Sequence, residues 1–172
     1  MAKFPPPNVP FVEARSIGEK QHPSSIVLRA SFTPSTKGSA LAVAQYWHRA
    51  SVPTDSCHYV IDSAMVYRCI PDDIAVQSLA FLRKNSIWIN LCCYPTERIS
   101  DWYRAPRVDV LDLAEDLVTQ LCKAHRISPV LRDKIPSGGL FSRRKSGIII
   151  QIPGEFPSEF VTRVAQRMEG HT

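Results

Sequence analysis

The sequence predicts one three-layer α/β domain with a mixed central sheet flanked by helices, and three observations carry that reading. Short apolar stretches of strand length alternate with stretches of helical periodicity. One pair of strand-like stretches is separated only by the short turn Asp62-Ser-Ala, as in a hairpin. At least one stretch, Ser86 to Cys93, is largely apolar on both of its sides, which places it inside a sheet covered above and below. A chain of 172 residues, 44% hydrophobic and 22% charged, can bury one sizeable core.

In chain order, residues 1–24 hold Pro5, Pro6, Pro7, Pro10 and Pro23 with little apolar periodicity. Proline lacks a backbone donor and restricts its predecessor, so this segment is expected to be an extended arm outside the core, followed by a domain over residues 25–172. Ile26 to Ala30 reads as the first strand, apolar except for Arg29. Thr33-Pro-Ser-Thr36 supplies side-chain oxygens for the start of a helix from about Lys37 to Arg49, whose inward face is Ala40, Val43, Ala44 and Trp47. Cys57 to Asp62 and Met65 to Ile70 form the hairpin. On the interior strand, Ile87, Ile89, Leu91 and Cys93 share one side and Trp88, Asn90 and Cys92 the other. A long helix from about Pro106 to Arg126 places Val110, Leu111, Ala114, Leu117, Val118 and Leu121 on one face, with its acids early and Lys123, His125 and Arg126 late, as the helix dipole favours. Ser137-Gly-Gly turns the chain into a last short strand, Gly147 to Ile150. A closing helix, about Ser158 to Met168, buries Phe160, Val161, Val164 and Met168.

The net charge is +5, yet residues 123–145 carry seven basic side chains against Asp133 alone. A basic segment fits an anionic polymer or an acidic partner, and equally a solvated loop. Phe141 is the one aromatic among those charges, too few for a nucleic-acid stacking platform. The five cysteines, an odd number lying mostly in apolar runs with no C-x-x-C, read as reduced, buried hydrophobes. A site built from Cys57, His58 and Cys69 lacks a fourth ligand. No apolar run reaches the roughly 18 residues of a membrane span, and the N-terminus lacks the apolar core of a signal peptide. The chain is expected to be soluble and made in a cytosol.

Five segments then occur in a telling order: Ser39-Ala-Leu-Ala-Val-Ala-Gln-Tyr-Trp47, Cys57-His-Tyr-Val-Ile-Asp62, Val66-Tyr-Arg-Cys-Ile-Pro-Asp-Asp73, Asn85-Ser-Ile-Trp-Ile-Asn-Leu-Cys92 and Pro153-Gly-Glu-Phe-Pro157. Together they resemble the zinc-dependent N-acetylmuramoyl-L-alanine amidases, which share a fold with peptidoglycan recognition proteins, and in particular the amidase domains of endolysins from phages of actinobacteria. The resemblance covers roughly residues 25 to 168 and implies the zinc amidase fold. In that family two histidines and a third Asp, Cys or His hold zinc, which activates a water, and a glutamate assists. The resemblance puts Arg29 and Gln151 at the histidine positions, Ile152 at the third ligand and Asn90 at the glutamate. It puts Gln77 where a substrate-facing histidine often stands.

A guanidinium has no lone pair for a metal, an amide oxygen suits zinc badly, and Asn90 exchanges no proton near neutral pH. The resemblance therefore implies the family's shape with its zinc ligands and acid replaced. The chain is expected to have no metal, no cofactor and no enzymatic activity. Arg29, His58 and Gln77 are candidate binding residues of the former cleft. The leading functional expectation is a structural or accessory component of an actinobacteriophage virion, tail or capsid, assembled in the host cytoplasm. It would contact neighbouring virion proteins through Phe4, Phe11, Arg143, Arg144 and Lys145. The alternative is a peptidoglycan-binding module without hydrolysis, and a lesser one an active amidase. Neither a membrane nor a nucleic acid is an expected partner, and a homo-oligomer is left open.

Overall fold

The computed structural model describes residues 9–14, 18–50, 56–76, 85–94, 98–134, 146–152 and 154–170. Within them the chain runs β1 (Ser25–Ala30), α1 (Ser39–Arg49), β2 (Tyr59–Ile61), β3 (Val66–Arg68), β4 (Ser86–Leu91), α2 (Arg107–His125), β5 (Leu131–Lys134), β6 (Gly147–Gln151) and α3 (Phe160–Glu169). The strands form one mixed sheet in the order β3-β2-β4-β1-β6-β5. β1 lies parallel between β4 and β6, β2 is parallel to β4 and β5 to β6, and β3 returns antiparallel to β2 as the hairpin reading requires.

The alternation of side chains along each strand divides the core in two. Ile26, Leu28, Ile87, Ile89, Leu91, Ile148 and Ile150 pack with the apolar faces of α2 and α3. Val27, Val60, Trp88 and Ile149 pack with Ala40, Ala44 and Trp47 of α1 on the other side. Helices on both faces of the central strands explain why β4 is buried along its whole length. α2 and α3 are also joined by charge: Glu115, fully buried, accepts ion pairs from Arg163 at 2.8 Å and Arg167 at 3.1 Å. Burial raises the Glu115 carboxyl above the usual range, against the pull of both arginines.

Three expectations are corrected. Thr33–Thr36 does not cap α1. Its cap is Gly38, with φ 94° and no side-chain bond, and the amides of Gly38 and Ala40 donate instead to Asp62 Oδ2 at 2.8 and 3.0 Å. The other oxygen of Asp62 accepts from Ala64 and Met65 at 2.9 and 3.0 Å, so one buried carboxylate ties the hairpin turn to the helix start. β5 falls within the basic segment, for which the sequence suggests no strand. It is an edge strand whose pairing with β6 comes from the backbone, which charged side chains do not prevent.

The third correction concerns the arm, which is not outside the core over its described residues. Residues 9–14 run beside β3: Arg68 N–H donates to the Pro10 carbonyl at 2.9 Å, and the amides of Val12 and Ala14 donate to the Arg68 and Cys69 carbonyls, each at 2.8 Å. Farther on, Ala75 N–H donates to Glu19 and Gln21 N–H to Asp73. A Cβ on Gly18 would stand 1.7 Å from the Ala75 carbonyl oxygen, so the segment closes on its own domain more tightly than a side chain permits. The free edge of β3 offers backbone groups that need partners, and an extended proline-bearing segment supplies them. Phe4 lies outside the described residues. All five cysteines are buried and none forms a disulfide; burial pushes the Cys122 thiol up to about 12. Among the described residues no helix is long and apolar enough to cross a membrane.

Candidate functional site

At the carboxyl ends of the central strands, Arg29 of β1 is in register with Asn90 of β4 on one side and Gln151 of β6 on the other. In-register residues of a parallel pair share a face. Val27, Trp88 and Ile149, two residues earlier on the same strands, show that this is the face covered by α1. A cavity of about 420 Å³ opens between α1 and these strand ends, bordered by Arg29, Ser31, Phe32, Tyr46, Trp47 and Asn90. The crevice beyond the carboxyl ends of parallel strands is where open α/β sheets bind their ligands.

The guanidinium carbon of Arg29 lies 5.5 Å from the Trp88 ring centroid, so a cation rests against a buried aromatic floor. Beside it, the thiol of Cys57 donates to Asn90 Oδ1 at 3.0 Å. That bond fixes the amide and directs its Nδ2 donors away from the thiol. Two large aromatics stand at the rim, Phe32 at 62% exposure and Tyr46 at 64%. Phe32 also has φ 57°, a left-handed conformation costing an L side chain on the order of 1–3 kcal/mol and typical of places where function dictates the backbone. Among the described residues no Asp or Glu borders the cavity.

Zinc does not fit this donor set. Arg29 has no lone pair, Asn90 and Gln151 offer neutral amides, and among the described residues no group of three or more His, Cys, Asp or Glu is placed to hold a metal ion. Ile152 is not brought to the cleft at all. Strand alternation turns it to the opposite face, where it is 6% exposed in the core beneath α2 and α3. Gln151 flanks Arg29 in register and does not border the cavity.

His58 is likewise corrected as a cleft residue. It is fully buried at the amino end of the sheet, where Trp88 N–H donates to its Nδ1 at 3.0 Å and its Nε2 lies 2.9 Å from the Ile74 carbonyl. An Nδ1 that accepts leaves the proton on Nε2, so the ring is a neutral bridge between β4 and the loop after β3. Burial lowers its pKa to about 4, with Asp72 opposing. Around it, Gln21 Nε2 donates to the Asp72 carbonyl at 2.8 Å, Tyr59 OH donates to Asp72 Oδ1 at 2.7 Å, and His125 Nε2 lies 2.9 Å from Asp72 Oδ2. Phe11 is half exposed, with the Arg68 guanidinium 5.9 Å from its ring centroid. Gln77, Arg143, Arg144 and Lys145 lie outside the described residues. The sequence reading missed Phe32 and Tyr46. Tyr46 left a signal, an aromatic on α1 outside the inward face; the backbone of Phe32 left none.

No family model and no curated protein matches the sequence. Solved structures do match in fold. The PlyG catalytic domain is similar over 93% of this chain and 94% of its own, with a TM-score of 0.63 at 13% identity. A mutant endolysin from Bacillus subtilis is similar over 71% and 79%, with a TM-score of 0.57 at 19% identity. The Staphylococcus aureus hydrolase AmiA, in complex with its ligand, is similar over 96% and 87%, with a TM-score of 0.61 at 8% identity. These neighbours are catalytic domains and hydrolases, so the expectation that the chain is not an enzyme does not stand. The mixed sheet flanked by helices is the amidase fold of the phage endolysin catalytic domains.

Proposed function

We propose that the chain engages bacterial peptidoglycan, holding a wall fragment in the cleft over Arg29 and Asn90. The observation that carries this is the place of the cavity: it opens at the carboxyl ends of β1 and β4, with an aromatic rim, in a fold shared with endolysin catalytic domains. The virion reading drew on an arm available to neighbours. Residues 10–14 instead hydrogen-bond along β3 and its end, and Glu19, Gln21 and Ser24 bond to the loop after it and to Asn85, which supports a reading that places the contact in the cleft. Co-sedimentation with purified peptidoglycan sacculi tests the proposal. The wild-type chain is expected in the pellet and a folded Tyr46→Ala variant largely in the supernatant. Failure of the wild type to sediment, or sedimentation indifferent to Tyr46→Ala, contradicts it. Peptide released into the supernatant, measured in the same samples, reads whether holding is followed by cleavage.

A further inference from the structure

Two large aromatic side chains from separate elements border one cavity while burying little of themselves: Phe32, just past β1, and Tyr46, on α1. A single exposed aromatic needs no explanation, whereas two at one cavity offer their rings to whatever enters it. Phe32 adds a second observation in its backbone. Its φ of 57° is strained, and the chain is pinned on either side of it. Ser31 N–H donates to the Leu91 carbonyl at 2.9 Å, and the Ser31 and Thr33 hydroxyls bond to one another at 2.6 Å across Phe32. Glycine takes this conformation without strain. A bulky ring that costs strain and gains little from burial is one kept for contact outside the fold.

Ala42, Val43 and Trp47 border the same space beside Tyr46, so one stripe of α1 supplies an apolar wall. The Ser31 and Thr33 hydroxyls border it too, and each oxygen carries two lone pairs, more than their mutual bond uses. A ligand matched to this lining has a flat apolar face and polar groups around its edge. An N-acetylated sugar ring has C–H groups on its face and hydroxyls and an amide N–H around its rim, and a space of about 420 Å³ accommodates it. A peptide of small and charged residues, such as the wall's stem peptide, has no such face.

We infer that the cleft is a glycan site in which Phe32 and Tyr46 pack against the C–H face of an N-acetylated sugar, so that the chain holds the wall by its sugar strand. This deepens the peptidoglycan reading and rests on it for the glycan's source.

Calorimetric titration of the full chain with tri-N-acetylchitotriose, a glycan without peptide, and with a synthetic stem pentapeptide without sugar reads the inference directly. The glycan is expected to bind at least about tenfold tighter than the peptide. Tyr46→Ala is expected to weaken glycan binding about tenfold, and Tyr46→Phe, which keeps the ring, to retain it. Phe32→Gly removes a ring and its strain together. It is expected to weaken glycan binding while unfolding at no lower a temperature than the wild type, an outcome that a ring serving only the fold would not give. Binding of the peptide at least as tight as that of the glycan, no glycan binding, or glycan binding indifferent to both Tyr46→Ala and Phe32→Gly overturns the inference. Sacculus retention without glycan binding sinks the sugar site and leaves the wall reading. Glycan binding without sacculus retention does the reverse.

Discussion

At the amino end of the sheet, Gln21, His58, Tyr59, Asp72 and His125 close on one another and on backbone carbonyls. At the carboxyl end, Arg29 and Asn90 border a cavity walled by exposed aromatics. Both centres are built from polar side chains on or beside the same strands, and they differ in what completes them. In the first, the donors and acceptors meet inside the protein, which offsets the cost of burying them and holds the arm and loops to the sheet. In the second, the side chains border an open cavity, where the proposed ligand would sit. Substitutions at the amino end should therefore read out in stability, and those at the carboxyl end in binding.

The largest expected effect is at Asp72. Removing a carboxylate that faces Tyr59, His125 and Arg68, in Asp72→Ala, is expected to cost about 3–5 kcal/mol, because its partners are left buried without it. Urea unfolding measures this, and any variant that remains folded should still sediment with sacculi. A loss of retention without a loss of stability would erase the distinction between the two ends.

The next effect is a pH dependence. His58 titrates at about 4 in the folded chain, below its ordinary 6.5, so folding favours the neutral ring. Its contribution is complete above pH 6.5 and fades as the pH falls from 6.5 toward 4, by about 1.4 kcal/mol per unit. Unfolding at pH 7 and pH 5 should show a drop of about 2 kcal/mol in the wild type that is largely absent in His58→Leu. Parallel pH profiles for the two proteins would place the sensitive group elsewhere.

Smaller still is the stability effect of Arg29→Gln, expected within about 1 kcal/mol, since the side chain is partly exposed and its contact with Trp88 is a cation–π one. A loss of several kcal/mol would make Arg29 a structural cation. Phe11→Ala is expected to change stability by about 0.5 kcal/mol or less, because the ring is half exposed over Arg68. A larger loss in thermal unfolding would show that this contact, more than the backbone bonds, holds the arm.

Periodicity made much of the molecule legible. The two faces of β4 and the apolar stripe of α2 follow from alternation and from 3.6-residue spacing, because burial acts on each side chain where the strand or helix points it. The register of Arg29, Asn90 and Gln151 was legible only through the family resemblance, since no local pattern says which strand ends lie side by side. What escaped is what tertiary pairing decides. Asp62 caps a helix that starts more than twenty residues before it, β5 exists through backbone bonds to β6, and Ile152 continues an alternation past the end of its strand. The arm escaped for the same reason: its composition says extended, and only the open edge of β3 says where it lies.

The two ends of the sheet are thus given different work, the carboxyl end to take a ligand and the amino end to hold the fold. An NMR titration of the isotopically labelled chain with soluble muropeptides distinguishes them residue by residue. Shifts are expected at the indole N–H groups of Trp47 and Trp88, the Asn90 side-chain amide and Arg29 Nε, with the signals of His58, Tyr59 and His125 unmoved. Shifts centred on His58, Tyr59 and His125 with the cleft silent would contradict this division.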